Sequence, residues 1–272
     1  MMGLTQDIVT NLTKGLAEYN PTAYNVMDTI SISARLFATA IIFVLFMMKF
    51  MSSYKMMFRS DGGKTYEFAL DLLIPYIVAW GFAMGSTYLI DGLIWVGNQF
   101  SLWVNNAMTN SPGVTEGAKL STVLSTSIPW YLKAQASGMV LITNIAMMLS
   151  SIIANVLIFI RFITLYIMQA VAPIFIAFSV HDETKSIAIT FLKHLGACIL
   201  QGALIILVLG LIPLLATSDI FTKMTPEGFG LGGAILKFLA SFVDMALLII
   251  KQLIILFLLI GTQGMAKRWL GV

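Results

Sequence analysis

Charge is the scarcest commodity in this chain: 11% of its 272 residues are Asp, Glu, Lys or Arg, against about 25% in an average soluble protein. That excludes a solvated surface of ordinary extent, and a hydrophobic content of 58% points to lipid instead. The formal net charge of +3 is too small to argue for nucleic-acid binding at the surface. Cysteine occurs once, as Cys198 within an apolar run. A disulfide framework or a cysteine metal site within one chain is therefore excluded, and Cys198 reads as a small buried hydrophobe. His181 and His194 are the only histidines, thirteen residues apart; with Asp182 and Glu183 they read as a solvated interfacial loop rather than a metal site. Catalytic signatures are missing as well. There is no His-Glu-x-x-His, no Gly-rich phosphate loop and no Gly-x-Ser-x-Gly elbow, so no enzyme, no ATP-driven motor and no cofactor is expected.

What the chain has is long apolar runs. A membrane span needs about 20 apolar residues, and five stretches qualify: 31–50, 72–90, 162–180, 195–216 and 242–262. The expected fold is all-α, a polytopic membrane helix bundle of about five transmembrane helices in one integral membrane domain. From Gly138 to Val180 the chain is apolar apart from Arg161. A hairpin there would need a turn, and Ile158-Phe-Ile-Arg-Phe-Ile163 offers no Gly, Pro or polar cluster. One long helix over about 138–180, its first half extending beyond the bilayer, is therefore expected. Leu4, Ile8, Val9, Leu12 and Leu16 recur at helical spacing, which predicts an amphipathic helix over 1–20, ended by Asn20-Pro21 and lying on the membrane or on a neighbouring subunit. The first twenty residues carry Lys14 and no apolar core, so no cleavable signal peptide is expected. Seventeen methionines, including Met47, Met48, Met51, Met56 and Met57, suit adaptable helix packing. The main extramembrane material is an outer loop over about 98–136 and a short one over 221–233.

The basic residues set the orientation. With five spans and the N-terminus outside, Lys49, Lys55, Arg59, Lys64, Lys185, Lys193, Lys267 and Arg268 are cytoplasmic, whereas Lys14, Lys119, Lys133 and Lys223 lie outside. Splitting the long apolar stretch into two spans would leave six basic residues inside and seven outside. The positive-inside rule selects five crossings with the C-terminus cytoplasmic.

Polar groups at membrane depth are the candidate functional residues. Lys237, Asp244 and Lys251 sit seven apart, nearly two helical turns, and so fall on one stripe of one helix. Ionisable side chains there cost about 2.5 to 3.5 kcal/mol each on insertion scales, so the stripe must face protein, water or another helix. Lys251, with Gln252 beside it, is close to mid-span and about 10 Å along the axis from Asp244 at 1.5 Å per residue. An acceptor from another helix or subunit is implied, whether for an interhelical hydrogen bond or for a pore lining. Arg35 and Arg161 lie near the expected outer ends of spans one and three, where snorkelling suffices, and Asp71 and Asp91 bracket span two. Gly81 and Gly85 form a GxxxG pair that permits close helix packing. Pro173 removes a backbone hydrogen bond and should kink its helix.

The run Arg161-Phe-Ile-Thr-Leu-Tyr-Ile-Met-Gln-Ala-Val-Ala-Pro173-Ile-Phe-Ile-Ala177, followed by the polar turn His181-Asp-Glu-Thr-Lys185 and another span, resembles the TrbL-like family. These are polytopic inner-membrane channel subunits of type IV secretion and conjugation machines. The likeness is strongest from about Asn144 to Leu215, and family members are described as N-out with about five spans. The resemblance implies a channel subunit in the bacterial cytoplasmic (inner) membrane, assembled with itself as a homo-oligomeric ring. Its other partners would be membrane lipids, bitopic membrane proteins and cytoplasmic ATPases of the secretion system, with transient contact to a transferred protein–DNA substrate. Arg161, Gln169 and Pro173 belong to the matching segment. The central outer loop is shorter here than in many relatives. A self-contained secondary transporter or small-solute permease is the alternative, although such proteins usually carry paired repeats, and none is visible.

Cysteine labelling in a Cys198→Ser background tests the orientation. Probes at Ser125 should react from outside, and probes at Ser186 and the C-terminus from inside; a C-terminus reached from outside would remove the five-span topology.

Overall fold

A computed structural model describes residues 2–57, 65–109, 133–216 and 233–271, with side chains described over 8–54, 70, 72–108, 141–142, 145, 148–210, 250 and 253–271. Every described element is helical. In chain order they are α1 (Met2–Thr13), α2 (Leu16–Tyr19), α3 (Pro21–Met57), α4 (Thr65–Met84), α5 (Ser86–Thr109), α6 (Lys133–Ala177), a 3₁₀ turn at Phe178–Val180, α7 (Lys185–Ala216) and α8 (Gly233–Leu270). By length and composition four described helical stretches suffice to cross a membrane: Pro21–Tyr54, Met148–Val180, Lys185–Gly210 and Leu253–Leu270. A fifth arises if Leu72–Met84 and Ser86–Met108, bent by 68° at their junction, form one span. Several boundaries differ from the sequence expectation. The first span's helix begins ten residues before Ser31, because Asn20 is its N-cap: the Asn20 Oδ1 accepts the Ala23 N–H at 3.0 Å, and Pro21 supplies a preset first turn. The predicted single N-terminal helix is two, broken at Lys14-Gly15. Glu18 holds that break by accepting the Gly15 N–H at 3.1 Å. Residues 98–109, expected in the outer loop, continue α5, whereas the rest of that loop to Leu132 and the loop after Ala216 lie outside the described residues.

No turn interrupts Ile158–Ile163: α6 runs unbroken for 45 residues, passing through Pro173. It ends in a turn built by Thr184, whose hydroxyl donates to the carbonyls of Phe178 at 2.8 Å and His181 at 3.3 Å. The His181 carbonyl also accepts the backbone N–H groups of Thr184 and Lys185, so the turn leads directly into α7.

Contacts divide the chain into two compact units, each assembled from separated stretches of sequence. One contains Met1–Thr13, Gln99–Ile160 and Gln201–Met265. Within it Ser150, Ala154 and Ile158 form a buried stripe of α6, and every residue of α7 from Gln201 to Ile206 is buried, as expected of a helix that is apolar all round. The other contains Lys14–Asn98, Arg161–Leu200 and Ala266–Val272. Its core joins Ala38, Ile42 and Leu45 of α3 to Tyr76 and Ala83 of α4 and Ala177 of α6. The Tyr76 hydroxyl donates to the Leu45 carbonyl at 3.2 Å. Phe175 of α6 stacks on Phe191 of α7 with ring centroids 4.7 Å apart, and Lys49 lies 3.9 Å from Asp182. The outward faces are apolar: Leu36, Phe37, Phe43, Met48, Tyr88 and Trp95 are all exposed. Apolar surface this continuous is rarely left in water.

Glycine substitutions test the helix contacts. A Cβ at Gly97 of α5 would overlap the Ile199 side chain of α7, one at Gly210 would meet the flexible Met108, and one at Gly92 meets nothing within 4 Å. Replacing a helical glycine by alanine gains about 1 kcal/mol, whereas overpacking a stiff neighbour costs about 1–3 kcal/mol. Gly92→Ala should therefore raise the melting temperature in detergent and Gly97→Ala should lower it, with Gly210→Ala between. Equal effects would show that α5 and α7 do not approach at Gly97.

Candidate functional site

Three helices of the second unit bring polar stripes together. On α3 the stripe is Tyr24, Asp28, Ser31 and Arg35, at intervals of four, three and four, which keep one helical face. On α5 it is Thr87, Asp91 and Asn98, and α6 adds Tyr166 and Gln169. The Tyr24 hydroxyl donates to Asp91 Oδ2 at 2.7 Å. Arg35 donates to the Thr87 hydroxyl at 2.6 Å and lies 3.7 Å from Asp28. Ser31 and Thr87 approach to 3.4 Å, and Thr87 is 3.4 Å from Asp28. Asp28 also lies within electrostatic reach of Asp91. Arg35 is thus held between helices, which overturns the expectation that it snorkels.

Arg161 is corrected in the same way. It is 1% exposed, its Nε donates to the Cys198 carbonyl of α7 at 3.1 Å, and its guanidinium carbon sits 5.6 Å from the Phe162 ring centroid. One turn along α6, the Tyr166 hydroxyl donates to the carbonyl of Leu16 at 2.6 Å and reaches that of Asn20 at 3.3 Å. Tyr19 stacks on Phe162 with centroids 3.7 Å apart, and Asn98 donates to the Lys14 carbonyl at 3.0 Å. The segment from Lys14 to Asn20 is thereby clasped by α5 and α6 of its own chain.

Gln169 is fully buried, and neither its side-chain oxygen nor its nitrogen has a hydrogen-bond partner of proper geometry, although the amide faces the Tyr24 hydroxyl. Pro173, four residues on, has no N–H to give the Gln169 backbone carbonyl. An unpaired amide in an apolar surround costs about 1–3 kcal/mol, so this position is one where the fold keeps polar capacity unspent.

The other sequence candidates are placed as follows. Lys237, Asp244, Lys251 and Gln252 all lie on α8, as one helical stripe requires; their side-chain surroundings lie outside the described residues. Gly81 and Gly85 form no close packing seam within the chain, because a Cβ at Gly81 meets nothing within 4 Å and one at Gly85 meets only the Gly81 carbonyl. Gly85 instead occupies the bend between α4 and α5. Among the described residues no three His, Cys, Asp or Glu side chains gather as a metal site. Tyr24, Asp28 and Tyr166 escaped the sequence reading, although the period from Tyr24 to Arg35 was available to find the first two.

Comparison with family models, with curated proteins and with solved structures finds no match to this chain.

Tyr166→Phe tests the clasp. Losing the hydroxyl should cost about 1 kcal/mol and speed tryptic cleavage after Lys14 in detergent. Unchanged cleavage would show that the N-terminal segment is held by other contacts.

Proposed function

We propose that this chain is a channel or scaffold subunit of a type IV secretion machine, helping to form the path by which protein or protein-bound DNA crosses the bacterial cytoplasmic membrane. The observation that carries the reading is the segment of TrbL-like resemblance, which folds as α6, a polar turn and α7 with Arg161 buried against the following helix. Conserving charge at that depth is costly, and a cross-helix tie repays it by fixing how two spans pack. The N-out, C-in topology draws support from the Lys49–Asp182 contact, which brings the end of the first span to the turn before α7. The clasped segment from Lys14 to Asn20 lies at the Tyr166 end of α6, about 22 Å along the helix from that turn at 1.5 Å per residue. Assembly as a homo-oligomer draws support from the apolar outer faces of both α3 and α5, part of which would meet other copies and part lipid. Bitopic membrane subunits and cytoplasmic ATPases complete the expected assembly.

A small-solute permease is the second reading, and one observation favours it. α4 and α5 meet at a 68° bend at Gly85, and transporters use broken spans around their binding sites.

The fifth span separates the two. Lys251→Leu should insert at normal level, since it removes a desolvation cost. It should reduce substrate transfer about tenfold or more, the scale of one buried partner left unpaired at ~1.4 kcal/mol, with Lys251→Arg milder. Native mass measurement after gentle extraction should show multiples of the 29.8 kDa chain. Normal transfer by Lys251→Leu together with a monomeric particle that alone moves solute into liposomes would establish the permease.

A further inference from the structure

The charge balance around Tyr24 does not close. Asp28 has Arg35 at 3.7 Å, but Asp91 has the Tyr24 hydroxyl as its hydrogen-bond partner. The ion pairs given for the described residues are Arg35–Asp28 and Lys49–Asp182, so no basic side chain among the described residues is paired with Asp91. The half-buried Asp91 lies inside a stretch otherwise apolar enough to cross a membrane, where a lone carboxylate is costly. The groups within reach of it are Tyr24 and Asp28 from α3, and α6 brings the neutral Gln169 to Tyr24. Among the described residues one negative charge is left over.

The same unit also carries buried polar atoms without partners, three of them oxygens. Arg35 Nε, Ser86 Oγ, Asn98 Oδ1 and both amide atoms of Gln169 are buried without partners, and all belong to α3, α5 and α6 of the same unit. Gln169 is the most telling, being fully enclosed and facing Tyr24. The Gln169 backbone carbonyl has also lost its helical donor to Pro173. Carbonyls freed at helix interruptions are a common source of cation ligands in membrane bundles.

We propose that this polar cluster binds one alkali-metal cation, with Asp91 supplying the charge and the Tyr24 hydroxyl oxygen and the Gln169 side-chain carbonyl supplying further oxygen ligands. A monovalent ion closes the balance because Arg35 already cancels Asp28; a divalent ion would leave a positive charge at membrane depth. A hard ion also suits a donor set made only of oxygens. The site belongs to one chain and stands whatever substrate the protein moves.

Thermal unfolding of the detergent-purified chain tests it, with N-methyl-D-glucamine chloride holding the ionic strength constant while NaCl or KCl is varied. One of the two salts should raise the melting temperature saturably, by about 5 °C for a ligand present far above its dissociation constant. Asp91→Asn keeps an acceptor for Tyr24 but removes the charge. It should abolish the salt response while melting, without alkali ion, near the saturated wild-type temperature. Gln169→Leu should fold at least as well, because it removes an orphaned amide, and should shift the salt midpoint upward about tenfold. Stability that follows pH alone, with no alkali-ion dependence, would overturn the proposal and make a proton the missing charge. A salt response unchanged in Asp91→Asn would overturn it equally.

Discussion

A polar group at membrane depth must find its partner inside the protein, because hydrocarbon offers none. Much of the second unit can be derived from that one demand. Arg35 lies between Asp28 and Thr87, and Arg161 takes a backbone carbonyl from the neighbouring helix. Tyr166 uses its hydroxyl on the carbonyls that close α2 and begin α3. Apolar side chains discriminate poorly between one helix neighbour and another in lipid, where packing alone separates the choices. Directional polar ties therefore choose which helices become neighbours, and small residues such as Ala38 and Ala83, both fully buried, let them close.

How much of this was legible follows from what each signal averages. Long apolar runs announce helices because length alone decides them, and the uninterrupted α6 was readable from the lack of any turn chemistry between Ile158 and Ile163. Arg161 was misplaced for a specific reason. Counting the span from Phe162 put the arginine at a membrane boundary, yet its side chain is 1% exposed and tied to α7. Arg35 failed similarly, since Pro21 starts its helix more than three turns earlier. The first error comes from leaving the facing helix out of account, the second from equating the apolar window with the helix.

The polar seam was harder to see because no single stretch contains it. Tyr24, Thr87 and Gln169 are joined by tertiary contact, and hydropathy along the chain dilutes each among apolar neighbours. The period on α3 was available, but a stripe tells only that a face is special, not what it faces. The Gly81 and Gly85 pair shows the converse. The pattern permits close approach, but proximity depends on a partner surface, and none of the described residues comes within 4 Å of a Cβ at Gly81.

The unbroken length of α6 has a mechanical consequence. Forty-five residues make a rod of about 67 Å at 1.5 Å per residue, more than twice the ~30 Å hydrocarbon thickness. Its ladder of backbone bonds resists bending along most of that length. Pro173 removes one rung close to the C-terminal end, so stiffness is unequal along the rod. Compliance within α6 therefore concentrates in its last turns, where Gln169 faces Tyr24.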